Sequence, residues 1–260
     1  MATYIDKMAV VHEDAKIGED CYIGPFCTIG ANAAIGDRTS LQSHVVVDTN
    51  TTLGKDCKVF PFASVGTQSQ DLKWKEGNQC FTTVGDNTII REYVTVHAGT
   101  DDGTYTKIGN NCALLALSHV GHNCEVGNDV VLSHNATLGG HVIVGDKVNV
   151  GGLSAVHQFC HIGRNAMVAG MARVVQDILP FTIAEGAPGV MRIINKIGME
   201  RNGFSKEEIS VANKCYKIFF MRNLQLEEAI KQIEADFPES EVAQNMVTFA
   251  KDATRGLARK

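Results

Sequence analysis

The sequence contains no run of about 18 apolar residues, the length needed to cross a hydrocarbon core, so no membrane span is expected. Its first residues, Met1 to Val11, carry no long apolar stretch and no small-residue cleavage site, so no secretory leader is expected either. Positive charge is not in excess. There are 24 Lys and Arg against 29 Asp and Glu, a formal net charge of −5, which argues against a nucleic-acid binder with a dominant basic face. The eight cysteines, with no leader to carry them to an oxidising compartment, are expected to be reduced thiols in the cytoplasm. With 44% hydrophobic and 20% charged residues, the 260-residue chain reads as soluble and globular, one large domain or one with a small appendage.

What is present is a period of six. From Ile5, every sixth residue is aliphatic as far as Val65, through Ile17, Ile29, Leu41 and Leu53. The register breaks once, resumes at Val84 and continues to Val174, failing only at Asp102. A helix repeats near 3.6 and a strand at 2, so neither accounts for a strict six. Four residues after each aliphatic position stands a small or β-branched residue, such as Cys27, Ala33, Cys124 or Ala166. One large and one small inward residue per hexad would fill a narrow interior. Glycine often follows the aliphatic residue, as in Ile29-Gly30 and Val144-Gly145, and is expected to permit the corner turns. Six of the eight cysteines sit at the small inward position and read as core filler.

This hexapeptide-repeat pattern resembles the left-handed parallel β-helix family, in which three hexads make one triangular coil of about 18 residues. The left hand comes from that resemblance, since the general crossover rule favours the right. The fold expected is an all-β solenoid over residues 1–190 with a helical domain over 191–260. Register breaks at about 67–82 and 97–107 are read as loops thrown out from the prism, and such insertions usually carry function. After Pro180 the hexads stop. Ser205-Lys206-Glu207-Glu208 is a capping box that opens a helix with Ile209, Ala212, Tyr216 and Phe219; further helices are expected over Leu226–Ala235 and Glu241–Ala253.

Subtracting whole coils projects His141 onto Asn123 and His157 onto Gly121, beside His122 and near His119. Four histidines therefore stack along one edge, with His97 opening the second loop. On the residues alone two chemistries remain open. One is a general base that deprotonates a hydroxyl; the other is a zinc site with three imidazoles, as in a carbonic-anhydrase type of lyase. A non-catalytic scaffold would not need the stacked histidines, and an ice-binding solenoid would show a threonine ladder, which is missing.

Ser118-His119-Val120-Gly121-His122-Asn123-Cys124 is similar to the catalytic segment of the acyl-carrier-protein–UDP-N-acetylglucosamine O-acyltransferases. Gly139-Gly140-His141-Val142, Ala155-Val156-His157-Gln158-Phe159, Gln70-Asp71-Leu72-Lys73, Thr95-Val96-His97 and Thr254-Arg255-Gly256-Leu257 match as well. The later N-acyltransferases of the same class fit less well, because no separate uridine-binding domain precedes the repeats.

The resemblance implies transfer of an (R)-3-hydroxyacyl group from acyl carrier protein to the 3-hydroxyl of UDP-N-acetylglucosamine, the first step of lipid A biosynthesis, with no cofactor and no metal. It makes His122 the general base and the Gly140 N–H the oxyanion donor. Gln70, Asp71, Lys73, His97, His119, His141, His157, Gln158, Asn195 and Arg201 would bind substrate. Gly170 and Met167 would bound the acyl groove, glycine leaving room for a long chain. The family's sites lie between subunits, so a homotrimer is expected. Three departures stand out: Asn123 where a carboxylate is often found, leaving Asp71 or a backbone carbonyl to orient His122; Ile197 in place of a nucleotide-contacting glutamate; and Asn202 in place of a second arginine. A basic run of Arg164, Arg173, Arg192, Lys196 and Arg201 is suited to steering an acidic carrier protein.

Overall fold

One large and one small inward residue per hexad can fill a narrow prism only if the chain turns a corner every six residues. The structure, a computed structural model that describes residues 2–259, has this form. It is a left-handed parallel β-helix whose three sheets of 11, 9 and 8 strands are here called faces A, B and C. Face A starts at Tyr4–Ile5, face B at Val10–Val11 and face C at Lys16–Ile17, and each coil visits them in that order. Strands pair in parallel with their equivalents one coil away: Val120 with Leu138 and Leu138 with Val156 on face B, Val126 with Val144 and Val144 with Ile162 on face C. The large inward residues from Ile23 to Val174 are buried, as are the small ones such as Cys27, Ala33 and Cys124. Ile5 is 45% exposed because no coil lies beneath the first.

The corners use two residues, and the second adopts the left-handed region, for instance Asp20 (φ 57°), Phe26 (59°) and His141 (59°). Glycine is not what makes this turn, contrary to the sequence-based expectation. Gly30 and Gly145 precede the corner, and a Cβ on either would lie 2.6 Å from the N of Thr49 or Arg164 on the next coil. They are required by the close approach of stacked coils rather than by a special φ.

Both insertions leave the prism at the BC edge. The first runs between Ser64–Thr67 on face B and Phe81–Val84 on face C, the second between Thr95–His97 and Tyr105–Ile108. The excursions are therefore 68–80 and 98–104, shorter than the register breaks, because the flanking residues continue as strand. The loops are tied together by the Ser69 and Thr100 hydroxyls (2.6 Å), Asn78 Nδ2 donating to the Thr100 carbonyl (2.9 Å), and the Gln79 N–H donating to Asp102 Oδ1 (2.7 Å).

Beyond the hexads, Thr182–Glu185 joins face A in parallel and Val190–Ile194 turns back antiparallel, a hairpin the sixfold pattern does not announce. Four helices follow: α1 Lys196–Arg201, α2 Lys206–Met221, α3 Leu226–Asp236 and α4 Glu241–Asp252. The Ser205 box caps α2 in both directions, and Ile209, Ala212, Tyr216 and Phe219 are buried. The short α1 was not foreseen. No helix among the described residues is long and apolar enough to cross a membrane. All eight cysteines are free and buried.

Candidate active site

The BC edge brings together both loops and the histidines that the coil arithmetic stacked. His119 lies on face B. The corners of three successive coils then carry His122 with Asn123, Gly140 with His141, and Gln158 with Phe159. The His141 N–H donates to the His122 carbonyl (2.9 Å), and the Phe159 N–H to that of Gly140 (3.1 Å). The His122 and His141 rings meet edge to face at 5.1 Å, His141 stacks on Phe159 at 4.7 Å, and His97 meets His119 edge to face at 4.8 Å. His119 Nδ1 is 2.7 Å from the Thr95 hydroxyl. His157 directly precedes the Gln158 corner and is exposed.

Three of these imidazoles favour the neutral form. Burial, followed by the proximity of His119 and His122, pushes His97 down to about 4. Burial and then His122 lower His119. Burial and then His122 also lower His141, against the opposing pull of Asp101 and Asp71. Among the described residues, no three His, Cys, Asp or Glu side chains are grouped to hold a metal ion.

His122 differs in its partners. Its Nδ1 lies 2.9 Å from Asn123 Oδ1, which also accepts the Thr100 N–H at 3.1 Å. An oxygen that accepts from a backbone N–H acts as an acceptor toward the ring as well, so His122 Nδ1 carries a proton, and in the neutral ring the lone pair is on Nε2. Asn123 thus orients His122 by its own side chain, which corrects the expectation that Asp71 or a backbone carbonyl would do so. Its left-handed φ of 58° is one that Asn tolerates, and its N–H donates to the Thr106 hydroxyl (2.8 Å).

Asp71 faces the other ring nitrogen, its Oδ2 3.8 Å from Nε2. Its Oδ1 accepts the Lys73 N–H (2.9 Å), and that bond, followed by His122 and Lys73, holds the carboxyl below its usual range. A hydroxyl placed between Nε2 and Asp71 would meet two acceptors. Once the ring has taken its proton, the imidazolium would be paired with a carboxylate. Lys73 and Gln70 are exposed on the same loop, and the Lys73 charge is felt at His141.

Gly140 is fixed by the ring itself, since any Cβ there would run into the His122 imidazole. Its N–H is not needed by the coil: prolines, which have none, occupy the first corner position at Pro25 and Pro61 on the AB edge.

The remaining sequence-predicted residues lie elsewhere on the prism. Met167 is on face A, Gly170 is at the AB corner, and α1 follows the hairpin that ends face A. In a three-sided prism face A lies opposite the BC edge, so these residues do not join the histidines of the same chain. Asn195 is 8% exposed and caps α1, its Oδ1 accepting the Gly198 N–H and its Nδ2 donating to the Asn165 carbonyl. Arg201 is exposed in the last turn of α1, and Asn202 Nδ2 donates to Asn165 Oδ1 (2.7 Å).

The AB edge carries a feature the sequence reading missed. Its second corner residues include Phe26, Phe62, Tyr93, Leu117, Leu153 and Met171, all left-handed and exposed, Met171 at 74%. Phe62 and Tyr93 stack at 5.0 Å. Large apolar side chains held in a conformation that costs about 1 kcal/mol each, and left in water, mark a surface made for contact. The signal was available as a large apolar residue recurring just before the small inward position, interrupted between Phe26 and Met171 only by His44 and Asn135.

A family model described as UDP-N-acetylglucosamine O-acyltransferase, domain 2, matches residues 177–258, and the bacterial transferase hexapeptide model matches 2–31, 14–49 and 105–140. The acyl-[acyl-carrier-protein]–UDP-N-acetylglucosamine O-acyltransferase of Campylobacter lari is 38% identical over 254 residues, 97% of this chain and 95% of that protein. The enzyme of that name from Gloeothece citriformis is 36% identical over 194 residues, 75% of this chain and 70% of that one. Among solved structures, the UDP-N-acetylglucosamine acyltransferase of Francisella novicida superposes with a TM-score of 0.96 at 36% identity, covering 99% of this chain and 94% of that one.

Proposed function

The chain belongs to the acyl-[acyl-carrier-protein]–UDP-N-acetylglucosamine O-acyltransferase family, and from that premise we propose that His122 is the general base of its acyl transfer. The acceptor is the 3-hydroxyl of UDP-N-acetylglucosamine. The donor is an (R)-3-hydroxyacyl thioester on acyl carrier protein, and the step opens lipid A biosynthesis. The observation that carries the mechanism is the chain Thr100 N–H, Asn123 Oδ1, His122 Nδ1–H, which leaves Nε2 free opposite Asp71.

Nε2 takes the hydroxyl proton as the sugar oxygen attacks the thioester carbon. The Gly140 N–H receives the oxyanion. Asp71 and Asn123 hold the imidazolium. Collapse expels the carrier thiolate, and the proton returns to it from Nε2. Gln70, Lys73, His97, His119, His141, His157 and Gln158 line the pocket and fix the sugar and acyl groups.

Three copies around one axis complete the site. Asn195, Arg201, Met167 and Gly170 lie away from the histidines of their own chain, and the apolar AB edge is a surface for a neighbour. A heterologous contact that closes on itself supplies both sets to one cleft. Gly170 is exposed, and a Cβ there would meet only the Gly152 carbonyl at 3.3 Å, which supports a groove open to long chains. A series of hydroxyacyl carriers tests this, and preference for short chains overturns it. The eight free, buried thiols are in keeping with a reducing compartment such as the cytoplasm.

The deciding experiment assays purified protein with UDP-N-acetylglucosamine and hydroxyacyl carrier protein. His122→Ala is expected to lower kcat by about 10²–10⁴-fold with an unchanged melting temperature and a trimeric mass by light scattering. Near wild-type turnover in that variant removes His122 as the base.

A further inference from the structure

The end of the chain returns to the histidine edge. Beyond α4, the Asp177 N–H donates to the Gly256 carbonyl (2.8 Å) and the Ala258 N–H to that of Asp177 (3.0 Å). The Asp177 carboxylate, 0% exposed, accepts the N–H of His161 (2.7 Å) and the N–H of Arg255 (3.0 Å). The backbone of Arg255 is therefore clamped beside the coil that carries His157, while its side chain is exposed and reaches His157, Nη2 lying 3.3 Å from Nδ1. Among the described residues, no carboxylate lies within ion-pair distance of this guanidinium.

The contact with His157 is a replaceable one. His157 Nδ1 is also 3.1 Å from the Gln158 carbonyl, which requires an N–H there, whereas a guanidinium has only donors and requires a lone pair. One nitrogen cannot meet both demands. The pair has two arrangements: the guanidinium on Nδ1, or the guanidinium released and Nδ1–H on the Gln158 carbonyl. A phosphate oxygen is a stronger partner for arginine than a neutral imidazole, so an anion selects the second.

We propose that Arg255 binds a phosphoryl group of a substrate at the end of the BC edge beyond His122, next to His157 and Gln158. The inference rests on the acyl-transfer reading given above. Both substrates offer the chemistry: the diphosphate of the nucleotide sugar and the phosphate ester of the carrier's prosthetic group.

The test is Arg255→Ala and Arg255→Lys in the full chain, with kcat and KM measured for each substrate and calorimetric binding of UDP compared with uridine. Arg255→Ala is expected to raise one KM about tenfold, with kcat within about twofold and partial recovery in Arg255→Lys. A rise for UDP-N-acetylglucosamine with weaker UDP binding and unchanged uridine binding supports the nucleotide diphosphate. A rise for the carrier alone supports the carrier phosphate. Because the clamp to Asp177 uses the Arg255 N–H, neither variant should lower the melting temperature. Unchanged KM values and UDP affinity overturn the inference, as does a loss of stability with both KM values intact. Absence of transfer by the wild-type chain would instead remove the acyl-transfer reading, and the UDP measurement would still decide the role of Arg255.

Discussion

On the CA edge, the first corner residues of successive coils include Asp86, Asn110, Asn128 and Asp146. Each side-chain oxygen accepts the N–H one coil before: Asp86 to Asn110 Oδ1 (2.7 Å), Asn110 to Asn128 Oδ1 (2.9 Å), Asn128 to Asp146 Oδ1 (2.7 Å). On the BC edge the same position holds His122, Gly140 and Gln158, and no side chain of the next coil takes up their N–H groups in this way. The backbones agree, with φ of 56° at Asn111 and 57° at Asp129 against 58° at Asn123 and 59° at His141. One edge closes its hydrogen bonds upon itself and stabilises the stack. The other leaves an N–H, a ring nitrogen and a carboxylate open to an incoming molecule, at some expense in stability.

If the BC edge is open for chemistry, filling it should abolish activity. Gly140→Ala places a methyl group against the His122 ring, so kcat should fall about a hundredfold with little change in overall fold; activity within about threefold of wild type would break the contrast between the edges.

The open edge should also show in acid. His97 is held near 4 in the folded chain by burial, against 6.5 for the free group. Above pH 6.5 both states are neutral and the contribution to stability is complete. As pH falls from 6.5 toward 4, the unfolded chain binds a proton that the folded chain refuses, and stability is lost, on the order of 3 kcal/mol by pH 4. Denaturant titrations at pH 7 and pH 4.5 should show this loss reduced in His97→Asn; an equal loss in both chains would deny His97 the role.

Asn123 sharpens the comparison in another way. A neutral acceptor favours the charged ring less than a carboxylate in the same place would. Asn123→Asp should therefore keep catalysis and move the acid limb of the rate profile to higher pH by about one unit, read from kcat/KM against pH. An unmoved limb would mean that Asn123 does not touch the base during turnover.

Much of the prism was legible because a narrow interior constrains sequence tightly. The aliphatic residue of each hexad has no alternative place to go, so Ile23 to Val174 announced their burial, and the subtraction of coils placed His141 and His157 correctly. The BC loops were visible as failures of that register. What was hidden depends on contacts with no period. Asp71 meets His122 because a loop folds back over two coils, and Arg255 meets His157 across 98 residues of chain. Asn195 matched the family as a nucleotide contact, yet its side chain also caps α1 and binds Asn165, a use that no motif records. The role of Asn123 needed Thr100, because only the donated N–H reveals which atom of the amide faces the ring.

The smallest effect lies on the closed edge and tests whether closure itself is worth anything there. Asp146 Oδ1 accepts both the N–H and the Nδ2 of Asn128 (2.7 and 3.3 Å), one coil from the corner of Arg164 and on the opposite side of face C from His122. Asp146→Ala leaves a half-buried N–H without its protein partner, and water can replace only part of that bond. The expected loss is about 1 kcal/mol by denaturant titration, with kcat and both KM values unchanged, because Asp146 and Asn128 are not among the residues proposed to bind substrate. A fall in turnover matching that of a BC-edge variant would mean that the two edges are coupled through the coil and that the division between them is wrong. A stability change too small to measure would mean that the ladder is solvated in the native state and that its regular geometry reflects the spacing of the coils alone.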